Sequence, residues 1–268
     1  MQLRYDPYQI FRSSKSPAGL YARQKWLSEA GTASWQQDFQ QTVAELYAGQ
    51  SADGSWRGSA RETVRRLFGL HLTVREPDTR IHAALDWLMQ QIRLPYVDEE
   101  NDAEALTDES LMGLPFVAGR RDIFTAAATL FLSTIFGRSE DPTIVGIYQR
   151  LTKAIRQDQD VEPDIASLCN VLRALVVNPK YSNDRFTAQA LEALAKRQRQ
   201  TGEWEPPIPF YQTLNALAHL DSVLADAQLD KAFNKLAASQ KRGGSWSNGQ
   251  PEWNTFLAVH ALRNKARI

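Results

Sequence analysis

A chain of 268 residues, 43% hydrophobic and 23% charged, can bury a sizeable core as one large domain or two ordinary ones. Its 31 Lys plus Arg balance its 31 Asp plus Glu, so no net field favours nucleic acid or an acidic membrane surface. A lone Cys169 excludes an internal disulfide framework and any multi-cysteine metal site. The opening Met1-Gln2-Leu3-Arg4 lacks the apolar core of a secretion signal, and no run approaches 18 apolar residues. The expectation is a soluble cytoplasmic protein with a reduced thiol and no transmembrane segment.

Pro7 and the Ser13-Ser14-Lys15-Ser16-Pro17 run mark residues 1–19 as an N-terminal arm ahead of one domain over 20–268. Helical periodicity predicts a first helix over about 20–29, broken by Gly31-Thr32. Ser34 stands as the cap of the next, over 34–48, with Trp35, Phe39, Val43 and Leu46 at three- and four-residue steps. Ser59, with Glu62 three residues on, reads as a capping box opening a helix over 59–71. Pro77-Asp78 then resets the chain before a helix over 79–92.

An acidic insertion at about 93–120 interrupts this rhythm. Asp98, Glu99, Glu100, Asp102, Glu104, Asp108 and Glu109 fall there with no basic residue among them, between Pro95 and Pro115. A solvated loop is the first reading. A lid over a cavity is the second. Helical pattern resumes at 122–136, 143–157, 164–177, 184–199, 210–220, 228–240 and 252–264, and no alternating strand appears. The expected class is all-α, with about 11 helices.

Two periodic signals organise these helices. Gln-x3-Gly-x-Trp occurs three times, as Gln50, Gly54, Trp56; Gln198, Gly202, Trp204; and Gln240, Gly244, Trp246. Each copy ends one helical run and precedes another. Gly permits a sharp exit, Gln can bond free backbone groups at a helix end, and Trp covers the junction. The second signal is a hydroxyl near the start of alternate helices: Thr63, Thr125, Ser167, Thr213 and Thr255, spaced by 62, 42, 46 and 42 residues. A period of 42–46 built from two helices buries its apolar face only by stacking on neighbours. A HEAT-like open array shares the period but lacks the corner. The expectation is a ring of helical hairpins. Its inner helices would be 20–30, 59–71, 121–136, 164–177, 209–220 and 252–264, and its outer helices the five between.

These corners resemble the QW-type repeats of the terpenoid cyclase and protein prenyltransferase superfamily (the prenyltransferase and squalene oxidase repeats). Leu46, Leu194 and Leu236, each four residues before the Gln, fit the same pattern, and 83–91 looks like a degenerate copy. The resemblance covers about 20–264 and implies an α/α toroid, usually with a central cavity for a polyisoprenoid or other apolar chain.

The family's chemistries are mostly missing. Squalene–hopene-type cyclases protonate an alkene with the middle aspartate of Asp-x-Asp-Asp; here Asp164 matches the first position, but Ala166 stands where the donor belongs. Prenyltransferases hold zinc through Asp, Cys and His; here Asn254 replaces the histidine, and Cys169 has Ser167 where the aspartate would be. His71, His82, His219 and His260 share no ligand spacing, so no metal or other cofactor is expected. No complement-type Cys-Gly-Glu-Gln thioester, phosphate-cradling loop or nucleophile elbow occurs.

If the hydroxyls mark equivalent positions, residues at plus two and plus six face the ring's centre. These are Arg65, Ala127, Cys169, Asn215 and Leu257, then Gly69, Phe131, Arg173, His219 and Ala261. That set is mixed polar rather than the aromatic lining a carbocation requires. Arg65, Arg173, Asn215, Gln212 and Trp253 are the candidate ligand contacts, although such arginines more often pair with neighbours like Glu62. Should the protein be catalytic, Asp164, Asp122, Tyr211 and His219 are the candidates. The sequence leaves catalysis open. It supports a toroid protein binding an isoprenoid-like or other apolar ligand, or a protein partner. The alternatives are an enzyme using non-standard residues, and a bare scaffold.

Overall fold

The computed structural model describes residues 3–93, 106–157 and 164–268, with the backbone alone for 154–157. A 3-10 turn at Gln9–Phe11 precedes eleven α-helices among the described residues: α1 Pro17–Lys25, α2 Ala33–Tyr47, α3 Ala60–Thr73, α4 Thr79–Gln90, α5 Arg121–Ile135, α6 Pro142–Gln157, α7 Ile165–Leu175, α8 Arg185–Lys196, α9 Phe210–Leu217, α10 Val223–Ser239 and α11 Pro251–Asn264. The described residues form no strand; their only β pairings are the isolated bridges Gln50–Trp56 and Gln198–Trp204. None of their helices is long and apolar enough to cross a membrane.

Capping chemistry sets the boundaries. Ser16 accepts from the Gly19 amide at 3.0 Å with Pro17 in the first turn, so α1 starts three residues before the expected Leu20. Thr32, not Ser34, caps α2 through the Trp35 amide at 3.2 Å, while the Ser34 hydroxyl accepts from Arg23 at 3.3 Å. Ser59 accepts from the Glu62 amide at 3.2 Å, and the Glu62 carboxylate takes Arg66 at 2.8 Å. α10 begins five residues before the expected 228. Val223 and Leu224 lie exposed on its first turn, so its apolar period starts only at Ala225.

Two compact units share the chain: unit 1 comprises Met1–Ala48, Leu72–Arg75 and Leu191–Ile268, and unit 2 comprises Gly49–His71 and Glu76–Ala190. In unit 2, α5 is buried without a break from Ile123 to Ser133, packing chiefly on α7 with α4 and α6 also against it. In unit 1, α11 packs on α9 and α1, with α10 against α9 and α2 against α1. Arg23, buried in α1, ties the α1–α2 junction by ion pairs to Glu29 and Asp38, both at 2.8 Å.

The three corners share one geometry. Each glutamine amide donates to the glycine carbonyl of its own corner: Gln50 to Gly54 at 3.0 Å, Gln198 to Gly202 at 3.2 Å and Gln240 to Gly244 at 3.0 Å. Each also donates to a carbonyl outside the corner, which is Arg80 for Gln50 and Gln228 for Gln198, in both cases thirty residues on. The three glycines have φ of +93°, +91° and +80°, and a Cβ there would strike the backbone of Ala83, Lys231 and Asp6 respectively. Left-handed backbone and a chain pressed against the Cα make glycine obligatory. Trp56, Trp204 and Trp246 are all buried. The hydroxyl register acquires a cause at two corners: Thr63 accepts the Trp56 amide at 3.1 Å and Thr255 the Trp246 amide at 3.0 Å. At the remaining corner Thr213 Oγ1 is buried with no hydrogen-bond partner.

The acidic stretch 98–104 lies outside the described residues. The second half of the insertion is not a solvated loop. Leu111, Leu114, Phe116 and Val117 are buried, with Phe116 edge-on to Phe124 and Phe131, both at 5.7 Å. The Asn170 side chain on α7 donates to the Val117 carbonyl at 3.0 Å and accepts its amide at 2.9 Å, pairing with that residue as a strand neighbour would.

Candidate functional site

Within unit 1 the turns of α11 place Trp253, Phe256 and His260 at three- and four-residue steps, on one face of the helix. Trp253 stacks on Phe256 at 5.4 Å and 11°, and Trp26, at the end of α1, lies against Phe256 at 5.3 Å and 28°. Tyr21, one turn earlier on α1, meets Trp26 and Phe256 edge-on at 5.7 and 5.5 Å. The His260 ring continues this slab, 5.9 Å from Phe256, and His219, just beyond α9, faces it at 5.4 Å. Phe256 and Trp253 are buried, whereas Tyr21, Trp26, His219 and His260 are half-buried. An aromatic surface of four rings thus ends in two imidazoles.

Polar groups fix its edges. Buried Asn215 on α9 donates its amide to the Leu257 carbonyl and to His260 Nδ1, both at 3.3 Å. An amide nitrogen can only donate, so His260 Nδ1 is the acceptor in this bond. The Arg75 guanidinium lies over the Tyr21 ring, 5.4 Å from its centroid, adding a cation beside the aromatic face.

Asn215, His219 and Trp253, three candidates from the sequence, therefore come together in unit 1. Tyr211 and Gln212 are half-buried on α9; Tyr211 stands edge-on to Phe210 at 5.1 Å, and burial pushes its hydroxyl up to about 12. The remaining candidates lie in unit 2. Arg65 reaches the carbonyls of Met112 and Ser110, so its charge holds the insertion. Arg173 is buried on α7 with its guanidinium 5.0 Å from the centroid of Phe131, and desolvation lowers its pKa to about 9. Asp122 pairs with Arg120 at 2.9 Å. Asp164 is exposed, caps α7 through the Ala166 amide at 3.1 Å and accepts from Ser167 at 2.6 Å. No group of three or more His, Cys, Asp or Glu among the described residues could hold a metal ion.

Tyr21, Trp26, Phe256 and His260 lie outside the candidate positions that the sequence selects. The plus-two and plus-six register selects Leu257 and Ala261 on α11, but both are sealed against neighbours. The cluster uses the residues one position earlier. The Trp253, Phe256, His260 spacing was the signal available for α11, while Tyr21 and Trp26 join through tertiary packing.

No family model and no curated protein matches this chain. Similarity emerges with solved structures. A protein from Actinoplanes shares 16% identity at a TM-score of 0.58, over 98% of this chain and 90% of that one. The type II terpene cyclase MstE from Scytonema, as a variant in complex with its substrate geranylgeranyl dihydroxybenzoate, shares 13% at a TM-score of 0.57, over 99% and 90%. The apo form of MstE shares 15% at 0.55, over 98% and 88%. This chain has the all-α helical-toroid fold of the terpenoid cyclases.

Proposed function

We propose that this protein binds an apolar, isoprenoid-like small molecule against the aromatic surface of α1 and α11. The observation that carries the reading is the stack of Trp26, Phe256 and Trp253, continued by His260 and bordered by half-buried Tyr21 and His219. Flat aromatic faces give an alkyl or polyene chain a large contact area without a directional demand. The Arg75 cation over the Tyr21 ring supplies a polar contact that orients such a ligand. A cyclase of the same fold in complex with a geranylgeranyl compound supports the class of ligand. Asp164, Asp122, Arg65 and Arg173 take part in architecture in this reading, as do the nine corner residues. The lone Cys169 and balanced charge accord with a cytoplasmic location.

Isothermal titration with geranylgeraniol tests the proposal. Wild type binds one equivalent, and Phe256→Ala, which removes the ring against which Trp26 and Trp253 stack, weakens binding at least about tenfold, a burial loss of about 1.5–3 kcal/mol. Equal affinity in the two proteins removes the site from α11.

A catalytic reading rests on a separate observation, the 5.4 Å approach of His219 to His260 beside the aromatic surface. Imidazoles there could move a proton to or from a bound chain, and ring faces stabilise a developing cation. The missing Asp-x-Asp-Asp acid would make this chemistry unlike that of protonating cyclases. Conversion of a prenyl diphosphate or squalene that His219→Ala abolishes would establish it. Turnover unaffected by that change excludes His219. A protein partner would take precedence over both readings if the purified chain ignored every isoprenoid offered.

A further inference from the structure

The corner at Gln240 differs from the other two in what it grips. Gln50 and Gln198 donate to carbonyls thirty residues on, in the first two turns of α4 and α10, and Gly54 and Gly202 press against those same helices. Gln240 grips a different segment. Its amide donates instead to the Tyr5 carbonyl at 3.0 Å, its carbonyl oxygen accepts the amides of Arg4 and Tyr5 at 3.0 and 3.1 Å, and Gly244 presses against Asp6 and Pro7. A non-helical N-terminal segment thus stands where the other two corners grip a helix.

The same segment continues across the aromatic site. Tyr8 and Phe11 meet Trp26 at 6.2 and 5.6 Å, on the residue whose ring also lies against Phe256. Arg263 of α11 donates to the Tyr8 hydroxyl at 3.0 Å, and the hydroxyls of Ser14 and Ser16 bond the Glu252 carboxylate at the start of α11. Residues 4–16 are therefore held largely by polar clips, with Pro7 and Phe11 as their buried apolar anchors. A segment with few apolar contacts and part-exposed hydrogen bonds opens at lower free energy than packed helices.

We infer that residues 4–16 form a strap that opens on its own, uncovering Trp26 and admitting the apolar ligand to the site proposed above. The inference rests on that site for its ligand, but the opening of the strap can be measured without one. Hydrogen exchange of the wild-type protein should show the backbone of 4–16 exchanging at least tenfold faster than 246–256, which holds the Trp246 amide on Thr255. Gln240→Ala removes the clip on Arg4 and Tyr5. It should speed trypsin cleavage after exposed Arg12 at least fivefold and raise the association rate of geranylgeraniol by a similar factor. Exchange of 4–16 as slow as that of 246–256 would overturn the strap, even if the variant failed to fold. Binding of geranylgeraniol at one unchanged rate in both proteins would overturn its role as a gate while leaving the site in place. No binding to either protein would sink the site and the gate together, with the exchange result still deciding whether the strap opens.

Discussion

Gly243 and Gly244 stand side by side with opposite demands. A Cβ on Gly243 would meet nothing within 4 Å, whereas on Gly244, at φ +80°, it would strike the Asp6 carbonyl. Gly243→Ala should therefore leave stability within about 1 kcal/mol of wild type, on the stabilising side if anything. Gly244→Ala should cost more than the roughly 1–2 kcal/mol of a left-handed non-glycine residue, because a collision adds to it. Urea unfolding of the two variants checks this, and equal stabilities would remove the close approach from the account. At Trp246, sealed and donating its indole N–H to the Leu236 carbonyl at 2.9 Å, truncation to Ala should cost about 3–5 kcal/mol. Asp38 makes a pH-dependent contribution. Hydrogen bonds from Arg23 and Lys15 hold its carboxyl below the ordinary 3.8. A lowered folded value means that its stabilisation is complete above the unfolded pKa and fades as pH falls through the folded one. The gap in melting temperature between wild type and Asp38→Asn should hold steady from pH 7 to about 5 and close below about 3.8. A gap that widens as pH falls below 3.8 would contradict that assignment.

At the scale of elements, the corners were legible because glycine, glutamine and tryptophan each have one physical task there, and the spacing that satisfies all three leaves little freedom. Helix number was legible for the same reason: Gly, Pro and Asn punctuate the chain between periodic runs. The start of α10 was not, since exposed Val223 and Leu224 carry no information about which side faces inward. Nor was the burial of Leu111, Leu114, Phe116 and Val117, whose spacing follows neither the helical nor the strand period. The acidic neighbours dominate that stretch of sequence, yet the buried half is fixed by Asn170. Replacing Asn170 by Ala strands the Val117 amide and carbonyl in the core and should cost at least about 2 kcal/mol. Proteolysis near Val117 should rise with it. An Asn170→Ala protein as stable and as resistant as wild type would show that the insertion is held by its apolar residues alone.

For the whole molecule, the fold was readable because a repeat period implies stacking, and a stacked set of hairpins with glycine–tryptophan corners leaves few architectures. The candidate site was readable only in part. Asn215 and His219 follow from the hydroxyl register and Trp253 from its place near the start of α11, but Tyr21 and Trp26 enter from α1 through a contact with α11 far along the chain, which no local pattern encodes. The missing family acid and zinc motifs narrow the chemistry without naming the ligand. The central claim is that the aromatic surface of α1 and α11 holds an apolar small molecule. Native mass spectrometry of freshly purified wild type and Phe256→Ala, followed by organic extraction, tests it most directly. Wild type should carry one apolar molecule per chain, or take up one equivalent of geranylgeraniol, and the variant should carry or take up far less. A wild-type protein that comes empty and takes up no isoprenoid, or a variant that carries the same cargo, would contradict it.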